Sequence, residues 1–326
     1  MSKNCLLAGD IYVPVKIEEN DLYTGIKKLL QVIRPSWPSE NIKFKLFTDG
    51  ITNKLVACQH STEDEIVLVR IYGNKTDLLI DRNAEIRNIK TLNVLGLAPQ
   101  VYGIFENGLA YQYYPGVTLN VDTVLDEKVW PLVAKNMAKM HKVDLGKEFL
   151  CLLPEPFNTE AKETRFVNSF GSITKLRIEF ERLKSHLTKT MSPIVFAHND
   201  LLLGNVIYNK DEGTISFIDY EYATYNYQAK YPSKDFQISW IREYLTEYAD
   251  SKPSEEDIER VYDEVQLQTL ASHFLWGVWS LVQFEHSDID FDFGRYAEVR
   301  LNRYYELKNK TLKEFSRCRY FTTEAT

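Results

Sequence analysis

The sequence predicts an α+β protein of two lobes, a small mixed α/β N-lobe over residues 1–115 and a larger, mostly helical C-lobe over residues 116–326. Three observations support this prediction. Strand-like alternation dominates the first third of the chain, and helical periodicity dominates the rest. The length of 326 residues also exceeds what a single hydrophobic core usually serves.

The first elements are predicted to be strands joined by turns. Residues 42–47 (IKFKLF) alternate between apolar and polar side chains, as a half-buried strand does. The stretch TDGITN at 48–53 has the composition of a turn, and KLVAC after it resumes a strand. Residues 66–73 (IVLVRIYG) form a β-rich segment that ends at a glycine, which predicts a third strand.

A helix is predicted over residues 81–95, because Ile86, Ile89, Leu92 and Leu95 recur at helical spacing behind an N-cap residue, Asp81. Two short strands follow around VYGIF and LAYQYY, separated by the turn ENG. These elements complete the predicted N-lobe.

The second lobe is predicted to be mainly helical from about residue 121. An amphipathic helix is expected before residue 142, another over 173–188, and nearly continuous helix from 235 to about 313. The exception is a strand pair, VIYN and TISFID, joined by the turn KDEG.

Charge and cysteine usage argue against several function classes. The net charge is −7, whereas a nucleic-acid-binding protein needs a basic surface. The cysteines at positions 5, 58, 151 and 318 do not have metal-ligand spacing, which predicts a reduced, cytoplasmic chain. The longest apolar stretch, residues 270–284, is too short for a membrane span, so no membrane insertion is expected.

The segment HNDLLLGNVIYN at 198–209 indicates the chemistry. It places Asp200 five residues before Asn205, and Asp219 follows the strand TISFI. Phosphoryl transfer needs a carboxylate to orient a hydroxyl group, and an amide and a second carboxylate to hold Mg²⁺ on the phosphates. This order and spacing is that of protein kinases. The alternative is that Asp200 caps a turn and Asp219 is a surface acid.

Together with FIDYEYATYNYQA at 217–229 and FTDGITNKLV at 47–56, this motif resembles the choline/ethanolamine kinase family, and the ethanolamine kinases most. The resemblance implies a protein-kinase-like fold, ATP as co-substrate, Mg²⁺ as cofactor and ethanolamine as acceptor, in phosphatidylethanolamine biosynthesis. Choline as the acceptor, and a homodimer, stay open alternatives.

The resemblance also implies roles for individual residues. Asp200 would be the catalytic base, His198 would orient the catalytic loop, and Asn205 and Asp219 would bind the metal. Arg70 stands at the position of the kinase strand lysine, and Glu85 on the next helix is its predicted partner. The remaining nucleotide contacts would come from Thr48, Asp49, Gly50, Asn53 and, in the segment between the lobes, Gln112.

The predicted amine pocket is aromatic. Trp276, Trp279, Phe291 and Tyr296 match family positions that line it, and aromatic faces attract an ammonium group by about 0.5–2 kcal/mol each. Ordinary core packing is the alternative for aromatic residues at helical spacing.

One family segment is missing from this chain. After Ala229, where the family continues with a stretch resembling F-D-I-G-N-H-F-x-E, the sequence proceeds at once to Lys230. That stretch supplies residues that support the catalytic centre and a Glu near the amine. A catalytically impaired kinase-fold isoform, acting as a binding or partner subunit, is therefore the alternative to an active enzyme.

Overall fold

The computed structural model describes residues 11–47, 53–61, 64–73, 80–144, 170–190, 192–226, 233–287 and 290–315. The chain divides into two compact units, one of residues 1–126 with 200–223 and one of residues 127–199 with 224–326. The segment that contains Asp200, Asn205 and Asp219, which was placed in the C-lobe from the sequence, is therefore grouped with the first unit.

The first unit is built on a six-stranded sheet with the strand order β1-β5-β6-β4-β3-β2. All neighbouring pairs are antiparallel except β1 and β5. The strands are β1 (Tyr12–Val13), β2 (Ile42–Phe47), β3 (Asn53–His60), β4 (Ile66–Tyr72), β5 (Val101–Phe105) and β6 (Gly108–Gln112). The three strands predicted between residues 42 and 73 are confirmed.

Two helices belong to the same unit, α1 (Leu22–Ile33) and α2 (Arg82–Val94). The core of the unit combines the buried face of α1 with side chains from β3, β4, β5 and β6, among them Val56, Val69 and Phe105. The predicted N-cap of α2 is confirmed, because Asp81 Oδ1 accepts hydrogen bonds from the main-chain N–H groups of Asn83 and Ala84 at 3.0 Å each.

A second, three-stranded sheet in the first unit has the order β10-β9-β7. It consists of β7 (Val117–Thr118), β9 (Val206–Asn209) and β10 (Thr214–Phe217). The predicted pair VIYN and TISFID is confirmed as an antiparallel hairpin in which Val206 lies opposite Phe217, but its second strand ends at Phe217, two residues earlier than predicted. This hairpin carries the chain from Asn205 at its start to Asp219 just after its end.

The second unit is mainly helical, as predicted. Its helices are α3 (Trp130–His141), α4 (Ile173–Leu187), α5 (Lys234–Ala249), α6 (Glu255–His286) and α7 (Phe293–Phe315). One of its core clusters joins buried apolar residues of α4, α6 and α7. A two-stranded antiparallel sheet pairs β8 (Val195–Ala197) with β11 (Thr224–Asn226).

Two details differ from the sequence prediction. The regular helix expected from about residue 121 begins at Trp130, with Pro131 in its first turn, where a missing N–H costs nothing. Helix α1 was not predicted. Among the described residues, no helix combines the length and the apolar character that a membrane crossing requires.

Candidate active site

Residues 200–205 form a small loop, which is closed by hydrogen bonds from the Asn205 side chain back to Asp200. Asn205 Nδ2 donates to the main-chain oxygen of Asp200 at 2.8 Å and lies 3.4 Å from its Oδ2. The Leu202 N–H donates to the same main-chain oxygen, and the Asn205 N–H donates to Leu202. Because Nδ2 is committed to Asp200, the amide oxygen of Asn205 is the atom left to serve as a metal ligand.

The hairpin connects this loop to Asp219. The Ile218 N–H donates to the main-chain oxygen of Asn205 at 3.0 Å, so the residue before Asp219 is fixed to the residue that starts the hairpin. Asp219 has φ of +64°, a left-handed conformation that residues other than glycine adopt rarely. The chain therefore leaves the regular strand at Phe217 and turns the carboxylate of Asp219 towards β4.

Arg70 meets that carboxylate. Its side chain is almost fully buried on β4, between Leu55 on β3 and Leu109 on β6. One guanidinium nitrogen, Nη1, lies 2.5 Å from Asp219 Oδ1, and Nη2 forms an ion pair with Glu85 on α2. The predicted pair of Arg70 and Glu85 is confirmed.

A second buried arginine lies beside the first. Arg82, the first residue of α2, donates from Nη1 to Glu85 at 3.0 Å and to Glu221 at 2.8 Å, and from Nη2 to Asn53 Oδ1 at 3.3 Å. Asn53 Nδ2 in turn donates to Glu221 Oε2 at 3.1 Å. Neither Arg82 nor Glu221 was selected from the sequence as a site residue.

Helix α2 also holds the rest of the segment that follows β10. Asn88 Nδ2 donates to the main-chain oxygen of Ala223 at 2.9 Å. The hydroxyl of the buried Tyr220 donates to the main-chain oxygen of Leu97, just beyond the helix, at 2.5 Å. Residues 219–223 are thus fixed by side-chain contacts where sheet hydrogen bonds end.

The electrostatics of the site raise the pKa of two of its carboxyl groups, those of Asp200 and Asp219. Burial raises the pKa of Asp200 from its ordinary value of 3.8 to about 7, and the negative charges of Asp219 and Glu221 act in the same direction. Burial also raises the pKa of Asp219, despite its contact with Arg70. Burial would raise the pKa of Glu221 as well, but the Arg70 and Arg82 guanidinium groups together lower it.

Oxygen ligands for a hard divalent cation are present. One carboxylate oxygen from each of Glu85, Asp219 and Glu221 lies within 4.8 Å of the other two. Carboxylate and amide oxygens are the ligands that Mg²⁺ takes from proteins, so this donor set suits the ion. All three carboxylates bind arginine, but the side chain of Asp219 is 32% exposed, whereas those of Glu85 and Glu221 are 0% and 3% exposed. Asp219 is therefore the most accessible of the three to an ion from solvent.

The predicted nucleotide contacts are only partly described. Thr48, Asp49 and Gly50 lie outside the described residues. Asn53 is the first residue of β3. Gln112 ends β6, where its N–H donates to the main-chain oxygen of Gln100 at 2.9 Å and its Oε1 accepts from the Gln100 N–H at 3.3 Å.

The predicted amine-binding residues form one aromatic cluster in the second unit. Trp276 and Trp279 contact each other at a ring-centroid distance of 5.2 Å, and Phe291 and Tyr296 do so at 5.8 Å. Phe293, which was not predicted, joins the two pairs, with centroid distances of 5.7 Å to Trp279 and 4.8 Å to Phe291.

The cluster has an exposed edge and a cationic neighbour. Phe291 is 40% exposed, whereas Phe293 is buried. The Arg300 guanidinium lies 5.8 Å from the centre of the Tyr296 ring, and its Nη2 donates to the main-chain oxygen of Ser272 at 2.8 Å. His198, also in the second unit, is buried directly after β8, and its predicted orienting role stays a prediction.

Comparison with known proteins gives concordant matches. The family profile described as Choline/ethanolamine kinase matches residues 44–230 and 228–305. A probable ethanolamine kinase of Nematostella vectensis is 41% identical over 340 aligned positions, which cover 92% of this chain and 97% of that protein. The ethanolamine kinase of Drosophila melanogaster is 38% identical, with 91% of this chain and 79% of that protein covered. The structure of a Plasmodium vivax ethanolamine kinase matches with a TM-score of 0.74 and 25% identity, covering 88% of this chain and 89% of that one.

The comparisons also bear on the internal deletion expected from the sequence. The two matched stretches of the family profile meet and overlap at residues 228–230, where the segment was expected to be missing. The 340 aligned positions of the Nematostella protein exceed the 326 residues of this chain, so that relative has residues without a counterpart here.

Proposed function

Since the chain belongs to the choline/ethanolamine kinase family, we propose that it is an ethanolamine kinase, which transfers the γ-phosphoryl group of ATP to the hydroxyl of ethanolamine. The products are phosphoethanolamine and ADP, and the reaction is an entry step of phosphatidylethanolamine synthesis. The observation that supports this most directly is the loop that joins Asp200 to Asn205, connected through one hairpin to Asp219 and Arg70.

Asp200 is the base in this proposal. As the ethanolamine oxygen forms its bond to the γ-phosphorus, the bond from that phosphorus to the β,γ-bridging oxygen breaks, and the hydroxyl proton passes to the Asp200 carboxylate. A base works best when its pKa lies near the working pH. Burial and the neighbouring carboxylates bring the pKa of Asp200 to about 7, which meets this condition.

The nucleotide side is served by Arg70, Asn205 and Asp219. Asn205 and Asp219 would hold Mg²⁺, which when bound offsets negative charge on the β- and γ-phosphates. Arg70 contacts Asp219 and can also offer hydrogen bonds to a phosphate oxygen, because the guanidinium group has five N–H donors. Its pair with Glu85 fixes the direction of the side chain.

The aromatic cluster of Trp276, Trp279, Phe291 and Tyr296 is the proposed ammonium site. The buried Phe293 ring packs against Trp279 and Phe291. Ring faces attract a cation, but the Tyr296 ring already has a cationic neighbour in the Arg300 guanidinium group. Ethanolamine is preferred over choline in this proposal, because three methyl groups replace the N–H donors that a polar partner would bind. Comparable kcat/KM values for the two amines would overturn this preference.

The interruption of the family profile at residues 228–230 supports a second candidate function. A chain without the segment after Ala229 could bind Mg·ATP yet turn over slowly, because the missing stretch supplies the family's carboxylate near the amine. Loss of a close opposite charge costs about 2–5 kcal/mol. That corresponds to roughly thirty-fold to several-thousand-fold in kcat/KM.

The test compares this chain with a version in which the segment is restored between Ala229 and Lys230. Calorimetry measures Mg·ATP binding, and a coupled assay measures kcat and KM for ethanolamine and for choline. We expect similar Mg·ATP affinity and a much higher kcat/KM for ethanolamine in the restored chain. Equal kinetics would show that the segment is dispensable, and failure of both forms to phosphorylate ethanolamine would refute the proposed activity.

The cytoplasm is the proposed location. Cys58, the one cysteine among the described residues, is a free and fully buried thiol on β3. Free thiols persist in reducing compartments, where disulfides are rare. Fractionation of cells that produce the chain tests this, and recovery in a secreted fraction would contradict it.

A further inference from the structure

Arg82 has an unusual set of partners for the first residue of a helix. Its side chain is buried and makes ion pairs with Glu85 and Glu221, a hydrogen bond with Asn53 and a cation–π contact with Tyr72, whose ring centre lies 4.0 Å away. These partners come from α2, from the segment after β10, from the first residue of β3 and from the last residue of β4.

We propose that Arg82 is a positioning residue for the bound nucleotide: it fixes Glu221 and Asn53 to each other and thereby sets the position of Asp219 relative to β3 and β4. This inference rests on the proposed function, because it assigns Asp219 to Mg·ATP. It adds to the predicted site a residue that no sequence motif indicated.

The first argument is that three side chains close a triangle. Arg82 binds Glu221, Glu221 accepts from Asn53, and Asn53 accepts from Arg82, at distances between 2.8 and 3.3 Å. Each member is therefore fixed by two others, and removal of Arg82 breaks two of the three contacts. Such closed networks define geometry more strictly than a single pair does.

The second argument is that the segment after β10 needs side chains to hold it. Asp219 has a left-handed backbone conformation, and the ladder of β9 and β10 ends at Phe217. Arg70 holds Asp219 itself, and Arg82 holds Glu221 two residues later. Without Arg82, one of these two contacts is lost, and the buried Glu221 carboxylate loses the guanidinium group that it pairs with at 2.8 Å.

The two arginines therefore differ in what they can do. Arg70 contacts the predicted metal ligand directly, whereas Arg82 is connected to Asp219 through Glu221 and the intervening backbone, and through Glu85, which also pairs with Arg70. Residues that orient metal ligands in this way typically change metal affinity or activity by about ten- to a hundred-fold when replaced. Arg82 should therefore affect Mg·ATP, and leave the affinity for the amine unchanged.

The test uses Arg82→Lys, which keeps the positive charge but replaces the two terminal guanidinium nitrogens with a single ammonium group. In the parent, Nη1 serves Glu85 and Glu221 while Nη2 serves Asn53, and a single ammonium group cannot reproduce both directions. Calorimetry without ethanolamine should show about ten-fold weaker binding of Mg·ATP. The KM for ethanolamine should stay at the parental value. Parental affinity of Arg82→Lys for Mg·ATP would overturn the proposal.

A matched control is available in the same unit. Arg34 also forms a two-pronged pair with a glutamate, Glu65, and also stacks on a tyrosine, Tyr102, at 3.9 Å. Arg34→Lys should lower the free energy of unfolding and leave the affinity for Mg·ATP at the parental value. An equal loss of affinity in Arg34→Lys would mean that any lysine for arginine exchange in this unit has the effect, which would refute a specific role for Arg82.

A double variant separates positioning from stability. Replacing a buried ion pair with apolar residues of similar volume is often neutral for stability, so Arg82→Met combined with Glu221→Met should unfold near the parental urea concentration. It should still bind Mg·ATP weakly, because the contacts that join Asn53 to Arg82 and to Glu221 are both removed. Recovery of Mg·ATP affinity along with stability would show that Arg82 is only structural.

The outcomes for this inference and for the proposed function are distinguishable. A parent that binds Mg·ATP but does not phosphorylate ethanolamine refutes the activity, while the calorimetric comparison of Arg82→Lys with the parent still decides the role of Arg82. A parent that does not bind Mg·ATP overturns the role of Arg82 as well.

Discussion

Replacing Asp200 with asparagine should abolish phosphoryl transfer and at the same time stabilise the fold near neutral pH. The amide is nearly isosteric with the carboxyl group and can keep the contact with Asn205 Nδ2, which lies 3.4 Å from Oδ2. It cannot accept the proton of a substrate hydroxyl. Activity and stability should therefore change in opposite directions.

The size of the stability change follows from the pKa. In the folded chain, burial and the charges of Asp219 and Glu221 raise the pKa of Asp200 from 3.8 to about 7. The unfolded chain loses this proton near pH 4, so the stability from this group is present below about pH 4, declines as the pH rises towards about 7 and stays lost above it. At about 1.4 kcal/mol for each pH unit, the full loss is roughly 4 kcal/mol, an upper value.

The assay is urea unfolding of the parent and of Asp200→Asn without nucleotide or metal, at about pH 5 and about pH 8, alongside steady-state kinetics. The difference in unfolding free energy, variant minus parent, should increase by about 2–3 kcal/mol between about pH 5 and about pH 8. Asp211→Asn, in the exposed turn between β9 and β10, is the control and should follow the parent. Parallel pH dependence of the parent and Asp200→Asn, or parental turnover by the variant, would refute the reasoning.

Three further predictions concern the metal ligand, the sheet and the helical core. Asp219→Ala should remove the rise in melting temperature that we expect Mg·ATP to give the parent, because in the proposed site this carboxylate connects the metal to the protein; an undiminished rise in a thermal melt would place the metal elsewhere. Gly108→Ala should lower the free energy of unfolding by about 1–3 kcal/mol in urea, because the new Cβ would collide with the main-chain oxygen of Arg70 on the neighbouring strand; an unchanged midpoint would contradict this. Tyr304→Phe should lower the free energy of unfolding by about 1–3 kcal/mol, because it removes the hydroxyl of α7 that donates to Glu179 of α4 at 2.5 Å. Calorimetry should show unchanged Mg·ATP binding.

Local patterns in the sequence were sufficient for the elements that carry the site. The strands β2 to β4, the capped helix α2 and the hairpin β9–β10 each have a periodicity, cap or turn within a few residues. Helix α1 has such a signal too, although no helix was predicted there, because its buried residues Ile26, Leu29, Leu30 and Ile33 recur at helical spacing. In contrast, β7, β8 and β11 are two or three residues long and depend on partner strands elsewhere in the chain.

The site itself could be predicted only where a motif exists. Asp200, Asn205 and Asp219 have a fixed spacing that indicates their chemistry, and the partner of Arg70 lies on the next helix. Arg82 and Glu221 are 139 residues apart, and nothing in either local sequence indicates the other. Phe293 resembled any core aromatic until its contacts with Trp279 and Phe291 placed it in the cluster.

The left-handed backbone of Asp219 has a consequence for anyone who selects variants of this protein by heat resistance. Glycine accepts that conformation without strain, and it would remove a carboxyl group whose pKa is raised in the folded chain, while Arg70 keeps its pair with Glu85. A screen for residual folded protein would therefore tend to enrich Asp219→Gly. Because these clones would lack the proposed metal ligand, we expect them to have lost turnover. Directed evolution of this chain towards thermostability therefore needs a turnover screen in every round.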